Sequence, residues 1–483
     1  MRHGRGRDHR RVRNASTERL THAHARSRSD DRGGRARPAP LNAFRRRLRT
    51  IAFTFACASL LAAPYARAAD EAQGAQADKA AENEEQKGPT AEELKDKTEW
   101  AAVPVLGGST DIGIQFGGAT TITHVGNNFR PYWWKVDVLL SASVKSGPRG
   151  TEIVQQSHDM RWDIPGGAGG KGRLMPGIFF DRTVNSGYFG LGNDAPVVTD
   201  PQGQVGARYQ FKHQEVRTRL NIRTPLGGPW STMYGWQLRY VNPKAYAESR
   251  LSIDAATRET DGSPLIYGLE PLGIGIANGG IIYDTRDDEV IPTKGGFHLG
   301  ALRFAGATPT ESGVYWAGAN FIFRGYKKIP NTPVILAGRL FVDLMAGHVP
   351  FYDMSQAGAF VAIDMPGGPQ GIRGVPNGRY SGLIKVVGNV EARSLITSFR
   401  FLGSKFQIGG TAFFDTGRVW LDYTFANPRD GDGLGLKYGV GGGGFFVWDT
   451  AALFRVDVAY SPDASAANPG FPVGIYVQDS FMF

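Results

Sequence analysis

From Trp100 to Phe483 the chain is built of strand-length runs in which apolar and polar residues alternate. A period of two gives a strand two unlike faces. In WKVDVLLSASV (134–144) one face carries Trp134, Val136, Val138, Leu140, Ala142 and Val144, and the other Lys135, Asp137, Ser141 and Ser143. GLIKVVGNVEARS (382–394) sets Ile384, Val386, Val390 and Ala392 against Lys385, Asn389, Glu391 and Arg393. LFRVDVAY (453–460) sets Phe454, Val456, Val458 and Tyr460 against Arg455 and Asp457. No apolar run in this region is long enough to cross a bilayer as a helix, which takes about 20 residues.

Alternation fits a soluble sandwich as well as a membrane barrel. Three features favour the barrel. A leader precedes it, aromatic residues cluster at the ends of runs, and the last run, VGIYVQDSFMF (473–483), finishes on phenylalanine. The clusters include Tyr132, Trp133 and Trp134, then Trp230, Tyr234 and Trp236, then Tyr315 and Trp316, then Trp420 and Tyr423. Interfacial girdles of a barrel require such placement. A bilayer also demands closure, because an open sheet edge would leave backbone groups unpaired in lipid. The expected fold is therefore all-β, a transmembrane antiparallel β-barrel of about 16 strands. They fall near 100–107, 111–124, 131–144, 151–164, 172–182, 206–223, 231–242, 273–285, 295–306, 313–327, 332–346, 381–396, 404–416, 435–448, 451–460 and 472–483. Connections alternate short and long, and the long ones (183–205, 243–272, 347–380 and 417–434) are expected outside the cell.

The leader explains the charge. Residues 1–68 hold 17 arginines, no lysine and 4 acids, a net of +13, so with +10 for the whole chain the remainder is −3. A basic nucleic-acid surface has no support in the mildly acidic remainder. FRRRLRT (44–50), the apolar IAFTFACASLLAA (51–63) and ARA (66–68) read as a signal peptide with cleavage after Ala68. The Arg-rich stretch before it reads as an over-extended start. Cys57 is the single cysteine and lies in the leader, with Thr54 where a lipoprotein signal wants leucine. Residues 69–99 are rich in Ala, Glu, Lys and Gln, too polar to fold alone, with a short helix possible at TAEE (90–93). The expected organisation is a signal region (1–68), a short periplasmic extension (69–99) and an integral outer-membrane barrel (100–483).

Six motifs occur together and in order: YFGLGND (188–194), YDTRDDEVIPTKG (283–295), GGPQGIRGV (367–375), GNVEAR (388–393), FFDTGRVW (413–420) and the final Phe483. In this the chain resembles the outer-membrane barrel of the BamA/TamA family, also called the bacterial surface antigen family. The resemblance covers about residues 100–483. It implies sixteen strands and a role in inserting or translocating proteins, or in handling lipids. It further implies that the long sixth extracellular loop folds into the lumen, where Arg373, between Gly371 and Gly374, meets the wall carboxylates Glu391 and Asp415. The alternation agrees that both carboxylates point inward. A guanidinium is a planar fork able to hold two carboxylates. One departure is Val375, where the family has an aromatic residue after RG.

The same resemblance makes Tyr283, Asp284, Arg286, Asp287, Pro292 and Gly295 a periplasmic turn motif, and Phe414 and Gly417 a barrel-wall motif. Val473, Ile475, Val477, Phe481 and Phe483 alternate onto one face, similar to the signal by which such barrels are recognised for assembly. Asp284, Asp287, Asp288 and Glu289 lack the spacing of a calcium loop, so no metal or cofactor is expected. The mature extension is 31 residues long, which leaves no room for the periplasmic POTRA domains of most relatives. No GxSxG, HExxH, CxxC or P-loop occurs, and the histidines 124, 158, 213, 298 and 348 are scattered, so an enzyme is not expected. The expected partners are outer-membrane lipids and lipopolysaccharide, the barrel-assembly machinery for the chain's own insertion, and a client protein or lipid. A passive channel is the competing reading.

Overall fold

The computed structural model describes residues 97–483 apart from 127–128, 148, 199–206, 289–290, 402–403, 449–451, 467–470 and 479–480. The leader and the expected helix at 90–93 lie outside these residues. Sixteen long strands follow one another: β1 (Lys97–Ser109), β2 (Gly113–Gly126), β3 (Phe129–Gly147), β4 (Gly150–Asp163), β5 (Arg173–Gly187), β6 (Gln210–Gly227), β7 (Trp230–Val241) and β8 (Leu272–Asp284) form the first half. The second half comprises β9 (Lys294–Thr308), β10 (Tyr315–Lys328), β11 (Val334–His348), β12 (Ile384–Phe401), β13 (Ser404–Trp420), β14 (Lys437–Trp448), β15 (Ala452–Tyr460) and β16 (Val473–Gln478). Each pairs antiparallel with its neighbours in sequence, and β1 returns to β16, so the sheet closes on itself. β1 begins at Lys97, three residues before the expected barrel boundary, and β16 ends at Gln478, short of the expected 483.

The distribution of charge decides between sandwich and membrane barrel. On β12 Val390 is 57% exposed, while its neighbour Glu391 is 0% exposed. Lys385 and Arg393, on the Glu391 face, are also buried. On β9 Leu302 and Phe304 face out and Arg303 faces in. A soluble sheet does the reverse. Large apolar side chains displayed outward around charged side chains turned inward are what a lipid-embedded barrel presents. Exposed aromatic residues stand toward both ends of this apolar band, with Trp230 tilted against Tyr283 at one end and Tyr240, Tyr315 and Tyr460 at the other.

The two ends of the barrel differ. At one, short turns join β6–β7 and β10–β11; at the other, long loops span 188–209, 242–271, 349–383 and 421–436. The 242–271 loop contains one short helix, α1 (Arg250–Ala256), capped by Ser249. The sixth loop at the long end, 349–383, turns back into the barrel. Its Ala357, Phe360, Met365, Ile372 and Val375 are fully buried, packed against Met233 on β7, Phe297 and Leu299 on β9, Phe341 on β11 and Val387 on β12. The apolar side of the lumen is therefore a packed core made by this loop.

Candidate functional site: a buried loop latch and a short seam

Loop six places Arg373 in the lumen wall between β12, β13 and β15. Its Nε donates to Oδ2 of Asp415 (2.7 Å) and its Nη2 to Oδ1 (2.9 Å), a two-pronged grip on one carboxylate. Nη1 donates to Oε2 of Glu391 (2.9 Å) and to Oδ2 of Asp457 (3.1 Å). The backbone amide of Arg373 also donates to Asp415 (3.1 Å). Asp415 on β13, Glu391 on β12 and Asp457 on β15 are all completely buried, as is Arg373. A guanidinium keeps its charge in proteins, and here three buried carboxylates stand within hydrogen-bonding distance of it.

Three buried carboxylates against one arginine would leave an excess of negative charge. Two wall arginines supply the balance. Arg455 on β15 donates through Nη1 and Nη2 to Glu391 (3.0 and 2.6 Å) and through Nε to Asp457 (2.8 Å). Arg393 on β12 donates through Nε to Glu391 (2.7 Å). The cluster is thus three cations and three anions, with four guanidinium N–H groups on Glu391 and two each on Asp415 and Asp457, the pairing that buried ion groups require. Asn389 ties the loop backbone to the cluster, donating to the Gly371 carbonyl and to Asp415 (both 2.9 Å).

Glycines let the loop approach this closely. Gly374 has φ +95°, and a Cβ there would meet Ser461 Cβ at 2.8 Å. Gly417 on β13 leaves the space that Ile372 of the loop occupies. Val375 is buried in the apolar lumen core. The aromatic ring that the loop sequence lacks comes from the wall instead: the Arg373 guanidinium lies 3.3 Å from the centroid of the Phe413 ring. Phe414, the residue singled out in the wall motif, points the other way and is 48% exposed.

A second charged cluster fixes the inward-going limb of the same loop. Asp353 accepts from Arg239 on β7 (2.8 Å), which also grips Glu215 on β6 with Nε and Nη2 (2.9 and 3.0 Å). Arg303 on β9 donates to the Gly358 carbonyl and to both oxygens of Asp343 on β11, which Lys385 approaches at 3.4 Å. The sequence put Arg455 and Asp457 on the polar face of their strand without giving them a part in the latch, and it singled out neither Asp353 nor its partners Arg239 and Glu215. The signal available for the wall residues was only that each lies on the polar face of its strand.

At the short-turn end, Arg286 pairs with Asp284 (2.9 Å) and lies over Phe297, while Asp287 accepts from the Thr293 amide and the Lys294 amide (2.9 and 3.1 Å). Gly295 has φ +92°, and Pro292 is buried. These acids serve a turn. Glu289 lies outside the described residues.

The seam is short. Among the described residues β1 and β16 share two paired positions, Gly108↔Val477 and Ser109↔Tyr476, whereas β1 and β2 share thirteen, Lys97↔Val125 through Ser109↔Gly113. One further bond runs from the Thr110 amide to the Ile475 carbonyl (3.1 Å). Ile475 faces out as expected. Phe481 and Phe483 do not continue that outward face: the strand ends at Gln478, and the tail turns inward. The Phe481 ring lies under Arg393 (4.1 Å), and Phe483 is buried against Tyr326 and Ala337, its main-chain oxygen accepting from Arg393 (2.5 Å). Guanidinium groups over aromatic faces are favourable inside a low-dielectric lumen and hold the tail there.

The Omp85 superfamily domain matches residues 174–475. Among solved structures, the crystal structure of BamA from Haemophilus ducreyi lacking POTRA domains 1–3 is similar at 13% identity and a TM-score of 0.50, over 80% of this chain and 71% of that one. CdiB from Escherichia coli aligns at 12% identity and a TM-score of 0.48, over 80% of this chain and 62% of its own. At these identities the likeness to BamA concerns the fold. No curated protein matches the chain.

Proposed function

This chain belongs to the Omp85 superfamily, and from that premise we propose that it inserts or translocates proteins or lipids at the outer membrane through the seam between β1 and β16. Barrels of this superfamily are bacterial outer-membrane proteins. The observation that carries the reading is the seam: among the described residues two paired positions close a barrel whose other strand pairs are several times longer. Each backbone bond contributes about 1 kcal/mol net, so parting β1 from β16 is the least costly opening in the wall. Loop six supports the same reading, because it fills the lumen with packed apolar side chains and leaves the wall as the way through. Long loops then face the outside and short turns the periplasm. The chain acts without a cofactor, on a client protein or lipid.

The test is the outer-membrane proteome of a deletion strain, with lipid and lipopolysaccharide measured from the same cells. Specific loss of other barrels or surface proteins is expected for a protein client, and an intact proteome with altered lipids for a lipid client. No change in either would overturn the proposal and favour a passive channel.

A further inference from the structure

β16 makes six residue pairs with β15 but two with β1, so something besides the sheet must hold it at the seam. The lumen side supplies it. Tyr476, one of the two seam residues of β16, points inward and is 1% exposed. Its hydroxyl accepts from the backbone amide of Gly374 (2.9 Å), the residue following the latch arginine. Its ring packs on Phe413 and Ala459. Phe413 is the ring on which the Arg373 guanidinium sits. The latch and the last strand therefore meet through one aromatic pair and one hydrogen bond.

The opposite lip of the seam is anchored elsewhere. Lys145 on β3 donates to the carbonyls of Thr110 and Asp111 (2.6 and 3.2 Å), and Asn185 on β5 donates to the Asp111 carbonyl (3.0 Å). None of these groups belongs to loop six. The backbone of the β1 lip is thus bonded to the wall and β16 to the loop, while loop six also reaches the Asp111 side chain through the Asn377 backbone and the charge of Asp364.

We propose that Tyr476 is a positioning residue that couples loop six to the seam, so that release of the Arg373 latch frees β16 while β1 stays in place. The inference rests on the seam being the working element described above, and it assigns that element's control to one lip. Coupling of this kind is reciprocal: whatever loosens β16 must also loosen the loop.

The test is amide hydrogen exchange on the full chain in lipid nanodiscs, comparing wild type with Tyr476→Phe and Arg373→Lys. Tyr476→Phe deletes one hydroxyl and keeps the ring. We expect amides of 473–478 to exchange about fivefold faster, as for loss of one buried hydrogen bond, together with the Thr110 amide that bonds to Ile475, and with those of 111–112 and β9–β11 unchanged. Arg373→Lys, which keeps the charge but loses the fork, should speed exchange in both 367–376 and 473–478. Unchanged exchange at 473–478 in Tyr476→Phe overturns the proposal. If that variant fails to fold, faster exchange confined to 367–376 in Arg373→Lys overturns it equally. The readout involves no client, so a silent deletion strain would sink the transport reading and leave this coupling standing.

Discussion

Arg373 of loop six and Asp415 of β13 are joined by three hydrogen bonds, two from the guanidinium and one from the backbone amide, with both residues fully buried. The amide bond fixes the loop backbone as well as its side chain. Truncating one member of a buried ion cluster leaves its partners charged and unpaired, a loss of about 3–5 kcal/mol. Arg373→Ala is therefore expected to lower the temperature at which the folded barrel unfolds in a heat-modifiability assay. Arg373→Lys should fall between. An unchanged transition in a correctly folded Arg373→Ala protein would show that the cluster does not hold the loop.

The second cluster makes a separable prediction. Asp353 lies on the inward limb of loop six, bound to Arg239. Asp353→Ala should release that limb while the Arg373 cluster stays formed. Limited proteolysis is the measurement: new cleavage within 349–366 is expected, with 367–376 still protected. Because the two sites share no partner, the double variant Asp353→Ala/Arg373→Ala should show roughly additive losses of thermal stability.

What the sequence made legible, and what it did not, follows from locality. Alternation is a local signal, and it located all sixteen strands and turned Glu391 and Asp415 inward. Arg373 stood out because glycines flank it in a loop. Arg455 and Asp457 carry the same inward alternation, but that they face Glu391 depends on β12, β13, β14 and β15 lying side by side in one register, which no single stretch encodes. The contact from Gly374 to Tyr476 joins residues 102 positions apart and involves a main-chain donor, which no side-chain motif reports. Phe481 and Phe483 continue the outward alternation of β16 on paper. They turn inward because Arg393 and Arg339 offer their guanidinium faces to the rings, a pull that lies outside the strand itself.

The turn between β1 and β2 should respond to pH. Burial raises the Asp111 carboxyl from its ordinary 3.8 to about 6, opposed by Lys145 and reinforced by Asp364, and one of its oxygens has no hydrogen-bond partner. A carboxyl raised on folding favours the folded state when protonated. Its contribution is most favourable below the unfolded value, declines as pH rises through the folded value, and is flat above it. The turn should therefore be held more firmly near pH 4 than near pH 7.5, and Asp111→Asn should weaken that dependence. Thermal melting at the two pH values checks this, and an equal pH dependence in Asp111→Asn would contradict it.

Loop six also predicts how the barrel conducts. With Phe360, Ile372 and Val375 fully buried in its lumen, the wild-type protein should show low and intermittent conductance in planar bilayers. Replacing residues 357–378 by a short Gly/Ser linker should give larger, steady openings. A large steady conductance from the wild-type protein would mean that the loop does not plug the lumen.

The central claim is that the seam between β1 and β16 must part for the protein to work. Thr110→Cys with Ile475→Cys places a thiol pair where the backbone bond of 3.1 Å already brings the lips together, and Cys57, the chain's only native cysteine, lies in the expected signal region. The measurement is rescue of the deletion strain by this variant under oxidising and reducing conditions, with disulfide formation followed by gel shift. The account predicts failure of rescue when the disulfide is closed and recovery when it is reduced. Full rescue with the disulfide closed would contradict it.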